Sequence, residues 1–363
     1  MTPPGIASDL PAVTLPVSEH LERAQATGGI DPRRVGDEVF PSDDLIDEHV
    51  AGELAPAHRL PGAQAAVRGL RAREARDLLS LESAPSPACA GPALGHRLRR
   101  LRVALGTWVA IEASAQSEAT AAKAIEAAYA ALTEVERRMH PEREGSEVAR
   151  INSAPLSVHT PIHASTWEVL RLAQRLNELT QGVFDPCLPS SPGRMSDLEL
   201  SGASAGPSLW VARRASLALD LGGIAKGFAV DRAIAALRAH GCDAGGVNAG
   251  GDLRLFGARR ETLLLRYPDH SYQPLLLQNT ALAVSDLDEP RRPPGHRGYY
   301  VRSGDSGGSR HYAAVQAPDA MTADALTKCV LLCSEACARR TLAALGGRDL
   351  TPAAARSALD PCL

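Results

Sequence analysis

Residues 217–257 read LALDLGGIAKGFAVDRAIAALRAHGCDAGGVNAGGDLRLFG. The apolar run 217–221 predicts a strand. Glycines then surround Lys226 in a turn, and 225–240 has helical rhythm up to Gly241. A second strand follows, with a glycine pair, Gly250 and Gly251, and a carboxylate, Asp252. Strand, glycine turn, lysine and helix start together suit a phosphate-bearing cofactor. Glycines let backbone approach phosphate, a helix start offers unpaired N–H groups, and Lys226 adds a mobile positive charge. The turn is not a Walker loop, because the lysine precedes its glycine and no Ser or Thr follows. It is not GxGxxG either.

Helical stripes lie at 118–139 and 164–180. Alternating apolar residues predict strands at 101–113, 263–267, 281–285 and 313–317, with Val247, Leu253 and Leu255 also on strands. Residues 322–345 read as one long helix. The stretch 190–207 is rich in Ser, Gly and Pro and reads as a surface loop, and 291–309 is loop-like. Runs of strands mixed with helices predict an α+β architecture with mixed or antiparallel sheets, not a doubly wound parallel sheet. Residues 1–95 are rich in Pro, Ala and charge. They read as a low-complexity, disordered extension with one short helix at 62–83, followed by a folded domain over 96–363.

Asp220-Leu-Gly-Gly-Ile-Ala-Lys-Gly-Phe-Ala-Val-Asp231 followed by Val247-Asn-Ala-Gly-Gly-Asp252 resembles the signature of the FAD:protein FMN transferases, the ApbE-like family. Further blocks fit in order. They are Leu105-Gly-Thr-Trp-Val109, Met139-His-Pro with Ser146-Glu-Val-Ala-Arg-Ile-Asn152, Gly182-Val-Phe-Asp-Pro186 and Ala317-Pro-Asp-Ala-Met-Thr-Ala-Asp-Ala-Leu-Thr-Lys328. The resemblance covers roughly residues 100–350. It implies a T-fold-related, two-lobed domain. It also implies that FAD is split, FMN passes to a Thr or Ser hydroxyl of an acceptor flavoprotein, and AMP leaves, with Mg²⁺ as the cation. Leu105, Met139, Phe184, Asp185, Asp220, Lys226, Gly250, Gly251 and Asp252 fall where relatives contact FAD.

For the metal, the resemblance points to Asp324, with the carbonyl of Gly223 and Thr327 beside it. Relatives often carry Thr at the position of Lys328, so Lys328 is also a candidate phosphate contact. Blander readings stand beside these. Asp324 suits the start of a helix, Lys226 suits a snorkelling surface lysine, Gly250–Gly251 suits a bulge with a surface aspartate, and Phe184 suits plain core. Replacing Asp324 by Ala is expected to end turnover and spare the fold.

The resemblance fails at one loop. Relatives carry His-x-x-Asp-Pro-x-Thr-Gly there, with the His as base, whereas residues 298–311 read GYYVRSGDSGGSRH. His296 and His311 are the candidates for the missing base. Glu142 also stands where relatives often have an aromatic. Two other outcomes therefore stay open: an FAD-binding protein with weakened catalysis, and an FAD pyrophosphatase giving FMN and AMP.

A net charge of −3 leaves no basic footprint for nucleic acid. No run of 18 apolar residues predicts a membrane span. Asp9, Glu19 and Glu22 interrupt the first 30 residues, which argues against a signal peptide and for a cytoplasmic location, although relatives are often exported lipoproteins. Of seven cysteines, Cys329, Cys333 and Cys337 fall on one helical face and read as small core residues.

Overall fold

The structure, a computed structural model, describes residues 95–202, 209–287 and 310–352. The extension expected over 1–95 lies, but for Gly95, outside the described residues, as do His296 and most of the loop before His311. The main sheet is antiparallel throughout, in the order β1-β2-β6-β7-β10-β11-β12. Its strands are β1 (His96–Ala104), β2 (Thr107–Ala115), β6 (Ala244–Ala249), β7 (Asp252–Phe256), β10 (Ala281–Asp286), β11 (Tyr312–Ala317) and β12 (Arg348–Asp349). The mixed helix-and-sheet architecture expected from the sequence is therefore present.

One face of the sheet carries α1 (Glu118–Met139), α4 (Ala225–Ala239) and α5 (Ala320–Leu332). α1 forms because Ile125, Ala128, Leu132 and Val135 recur on one side and all become buried. Ser117 caps it by accepting from the Thr120 amide at 3.1 Å. The opposite face of the sheet is covered by the hairpin of β8 (Glu261–Arg266) and β9 (Tyr272–Leu277), whose Arg266 carbonyl accepts from the buried Tyr312 hydroxyl at 2.7 Å.

A smaller part holds α2 (Glu147–Ser153), α3 (Ala164–Leu179) and a sheet ordered β3-β5-β4. Its strands are β3 (Thr160–Pro161), β4 (Leu198–Ser201) and β5 (Trp210–Arg213). A short C-terminal helix, α6 (Glu335–Ala344), packs on α5.

Four expected elements differ from what forms. Residues 101–113 are not one strand but the two arms of a hairpin turning at Leu105–Gly106. A two-residue turn keeps the odd-numbered apolar rhythm in sequence while swapping the face. Arg102 therefore lies opposite Val109 and reaches Glu126 on α1. Residues 217–221 make only a single bridge, Cys187 to Leu219. The Leu219 amide and carbonyl are instead taken by the side chain of Asn152, at 2.7 and 2.9 Å. The expected loop at 190–207 contains a 3₁₀ turn with the buried Met195, and then β4. The expected long helix breaks at Cys333, because Ser334 caps α6 as a new start. Cys329 and Cys333 are core residues, as expected, although the three cysteines do not share one helix.

Helices α4 and α5 cross in close contact at Gly227. A β-carbon on Gly227 would stand 2.2 Å from the Ala320 carbonyl oxygen and 2.8 Å from Asp324 Cβ. Neither neighbour can retreat without moving a helix. Gly227→Ala is expected to lower the unfolding free energy by about 1–3 kcal/mol, measured as a reduced denaturant midpoint at unchanged m-value.

Candidate functional site

The two helices cap each other. In α5, the first two amides, Ala320 and Met321, donate to the carboxylate of Asp231 on α4 at 2.9 and 2.8 Å. The third, Thr322, donates to the N-cap Asp319 at 2.7 Å, and the fourth, Ala323, to the Asp319 carbonyl at 3.1 Å. In return, Asp324 of α5 accepts from the Gly227 amide of α4 at 3.0 Å. Helix α4 has no side-chain cap of its own, because its N-cap residue is Ile224. Asp324 supplies that cap from a distant segment.

This arrangement corrects the picture of an open helix start waiting for phosphate. Of the first four amides of α4, Ala225 and Phe228 donate to carbonyls of the preceding turn and Gly227 to Asp324. Asp324 is fully buried and sits in the second turn of α5, not the first. Replacing it by Ala would strip a buried amide and leave Lys328 without its carboxylate. Asp324→Ala is therefore expected to destabilise the fold, contrary to the sequence-based expectation that it is spared.

Four charges meet around the crossing. Lys226 of α4 pairs with Asp252 at 2.9 Å, and Lys328 of α5 pairs with Asp324. The Asp252 side chain is 2% exposed and that of Asp324 0%, whereas Lys226 and Lys328 keep 29% and 16%. The carboxylates thus form the floor and the lysines the accessible layer. Burial, and then the negative charge of Asp324, push the Asp252 carboxyl up to about 6, against the pull of Lys226 and Lys328.

Asp252 is held there by the turn before it. Gly250 and Gly251 have φ of 58° and 101° and close a two-residue hairpin in which Ala249 pairs with Asp252. Positive φ at both positions is the geometry of a type I′ turn, which suits glycine. The pair is a tight turn and not a bulge, and Asp252 is not a surface residue. The turn lies against Thr107, beside the Leu105–Gly106 turn. Leu105 itself holds φ of 52°, an uncommon conformation for a leucine. Both hairpin turns therefore border one end of the sheet.

Other expected site residues have structural partners. Phe184 is fully buried core. Asp185 is buried and accepts from the Cys187 and Met195 amides at 2.9 and 3.1 Å, and burial raises its carboxyl. Asp220 is buried and accepts from the Gly222 amide at 2.8 Å, which shapes the turn before α4. Gly223 is buried in that turn. Met139 ends α1 in the core. Thr327 donates to the Asp324 carbonyl at 2.7 Å and meets Ser285 Oγ at 2.7 Å.

His311 is exposed at the head of β11, two residues before Ala313, the strand partner of Ser285. Sequence reasoning gave no role to Asp231 or Asn152, and gave Gly227 only that of a glycine beside a phosphate, although all three lie inside the quoted blocks. Arg254, which pairs with Asp231, completes that set.

The raised Asp252 carboxyl has a measurable consequence. Its native value of about 6 lies above the unfolded value of about 3.9. The native state therefore binds more protons between these limits, and this residue's contribution to stability falls as pH rises from about 4 to about 6. Asp252→Asn carries no such titration. Its stability relative to the unsubstituted protein is expected to climb over that window and level off above it, in denaturant titrations at stepped pH. A flat difference would contradict the assignment.

Comparison with known proteins agrees with this architecture. The sequence matches the ApbE family over residues 105–349. A curated relative, the FAD:protein FMN transferase of Treponema pallidum, is 25% identical over 199 residues, 47% of this chain. The chain spans about half of that relative's length, 55%. The fold resembles the flavin transferase ApbE from Vibrio cholerae, with TM-score 0.58 and 21% identity over 69% of this chain and 92% of that one. It also resembles the apo form of the Pseudomonas stutzeri flavinyl transferase ApbE, with TM-score 0.57 and 15% identity over 72% and 95% of the two chains. The ApbE protein of Thermotoga maritima gives TM-score 0.56 and 23% identity over 68% and 87%. These identities speak for a shared fold alone. The family match, which spans more than half of its length, establishes that the chain belongs to the ApbE family.

Proposed function

We propose that this protein is an FAD:protein FMN transferase. The acceptor is a flavoprotein that presents a Thr or Ser hydroxyl. That oxygen bonds to the FMN phosphorus, the anhydride bond to AMP breaks, and AMP leaves with the bridging oxygen. The hydroxyl proton passes to a base. His311 is our candidate for that role, since it opens the strand paired to Ser285, and His296 is the alternative. The observation that carries the reading is the pair of lysines above two buried carboxylates, at the end of the sheet bordered by the two hairpin turns. Transfer of a phosphoryl group depends mainly on positioning and on neutralising charge. Lys226 and Lys328 supply two positive groups for a pyrophosphate, and the buried carboxylates hold them in place.

The Mg²⁺ expected from the family resemblance fits these residues poorly. Asp324 already gives one oxygen to Lys328 and the other to the Gly227 amide. The Thr327 hydroxyl is directed to a backbone carbonyl. Among the described residues, no group of three or more His, Cys, Asp or Glu side chains is placed to hold a metal. No step is therefore assigned to a metal here.

Incubation with FAD and a flavin-acceptor domain, followed by mass spectrometry, tests the proposal. Covalent FMN on a Thr or Ser, with one AMP released per transfer, is the expected result. Lys226→Met is expected to slow transfer by about a hundredfold. AMP formed without labelled acceptor would replace the transferase reading by a pyrophosphatase, and FAD bound without AMP would replace it by a binding protein.

A further inference from the structure

Lys328 stands on the same face of α5 as Asp324, one turn on, and its ammonium reaches Asp324 Oδ1. The family resemblance implies a threonine at this position in many relatives, whereas this chain has Lys328. A lysine there changes the chemistry of the site. It brings a full positive charge on a flexible stem, where a hydroxyl would bring a neutral oxygen ligand.

Charge counting follows from the contacts. Asp252 and Asp324 are matched by Lys226 and Lys328, so the four groups are neutral when all are ionised. A divalent cation would have to displace an ammonium from Asp324 and would add two charges to a neutral set. It would also have to reach carboxylates that are almost entirely covered. Mg²⁺ dehydrates reluctantly and demands near-octahedral oxygen ligands. Neither demand suits a buried oxygen already engaged by an ammonium. An anion meets the opposite situation, because the lysines are the members of the cluster that retain surface.

We infer that Lys328 takes the place of a divalent cation at this site, so that the pyrophosphate of FAD is bound by Lys226 and Lys328 without metal. This rests on the reading of the cluster as an FAD site. Its failure is separable from that reading, because FAD binding and metal dependence are measured independently.

The experiment is calorimetric titration of FAD into the full chain, in EDTA and in excess Mg²⁺, for the unsubstituted protein and Lys328→Thr. The unsubstituted protein is expected to bind FAD with dissociation constants that agree within about twofold in the two buffers. Lys328→Thr is expected to bind about ten- to a hundredfold more weakly in EDTA, from the loss of a charge-assisted contact. It is expected to recover when Mg²⁺ is added, since Asp324 Oδ1 is released and a hydroxyl ligand is gained.

Titration of Mg²⁺ alone gives a second readout. Thermal stability is expected to be unchanged by Mg²⁺ in the unsubstituted protein and raised in Lys328→Thr. Lys328→Gln, neutral and close in shape, replaces the Thr variant in the EDTA comparison if the latter does not fold. FAD binding that vanishes in EDTA in the unsubstituted protein would overturn the inference and leave the FAD site standing. Equal binding by the two proteins in EDTA would overturn it as well. Absence of FAD binding in both buffers would remove the FAD site and the inference with it.

Discussion

The contact on which this structure depends is the exchange of carboxylates between two crossing helices. Asp231 of α4 accepts the first two amides of α5, and Asp324 of α5 accepts the Gly227 amide of α4. Helix starts carry unpaired donors and a positive dipole end, so a carboxylate is favourable at each. The exchange also fixes the distance and angle of the crossing, since a carboxylate must sit within hydrogen-bond reach of specific amides. Gly227 makes the approach sterically possible. The charged cluster depends on this geometry, because Lys226 precedes Gly227 and Lys328 follows Asp324 by one turn.

The capping also explains why the proposed site draws on side chains and not on a bare helix terminus. An unengaged N-terminus would bind phosphate through its backbone. Here much of that capacity is used internally, and the positive charge available to a ligand comes from two lysines. Burying two carboxylates close together is unfavourable unless each is paired, and the upward push on the Asp252 carboxyl is a sign of that cost. The Gly250–Gly251 turn forces Asp252 into this position, because the strand pairing leaves its side chain no other face.

Much of the fold was legible in the sequence wherever the signal was local. The stripe of α1, the helix after Lys226 and the strands at 281–286 and 312–317 each carry their own rhythm. The hairpin at Leu105–Gly106 was hidden because a two-residue turn does not disturb a period of two. The break at Cys333 was hidden because the apolar spacing continues into α6. The pairing at 217–221 was overestimated, since an apolar run does not reveal that Asn152, 67 residues earlier, takes up the backbone of Leu219. For the site, the motifs and the family resemblance named Lys226, Asp252, Asp324 and Lys328 as candidates but not their arrangement. Asp324 reads in sequence as a ligand or a local cap. Only the crossing shows that it caps another helix and that Lys328 occupies its remaining oxygen.

The central claim is that the two caps act as one unit. A double-mutant cycle on Asp231→Ala and Asp324→Ala, followed by denaturant unfolding, tests it most directly. If each carboxylate holds the crossing that the other needs, the double variant loses less stability than the two single losses combined, with a coupling between about 0.5 and 3 kcal/mol. Losses that add to within about 0.5 kcal/mol would mean that the two caps are independent, and would contradict the account.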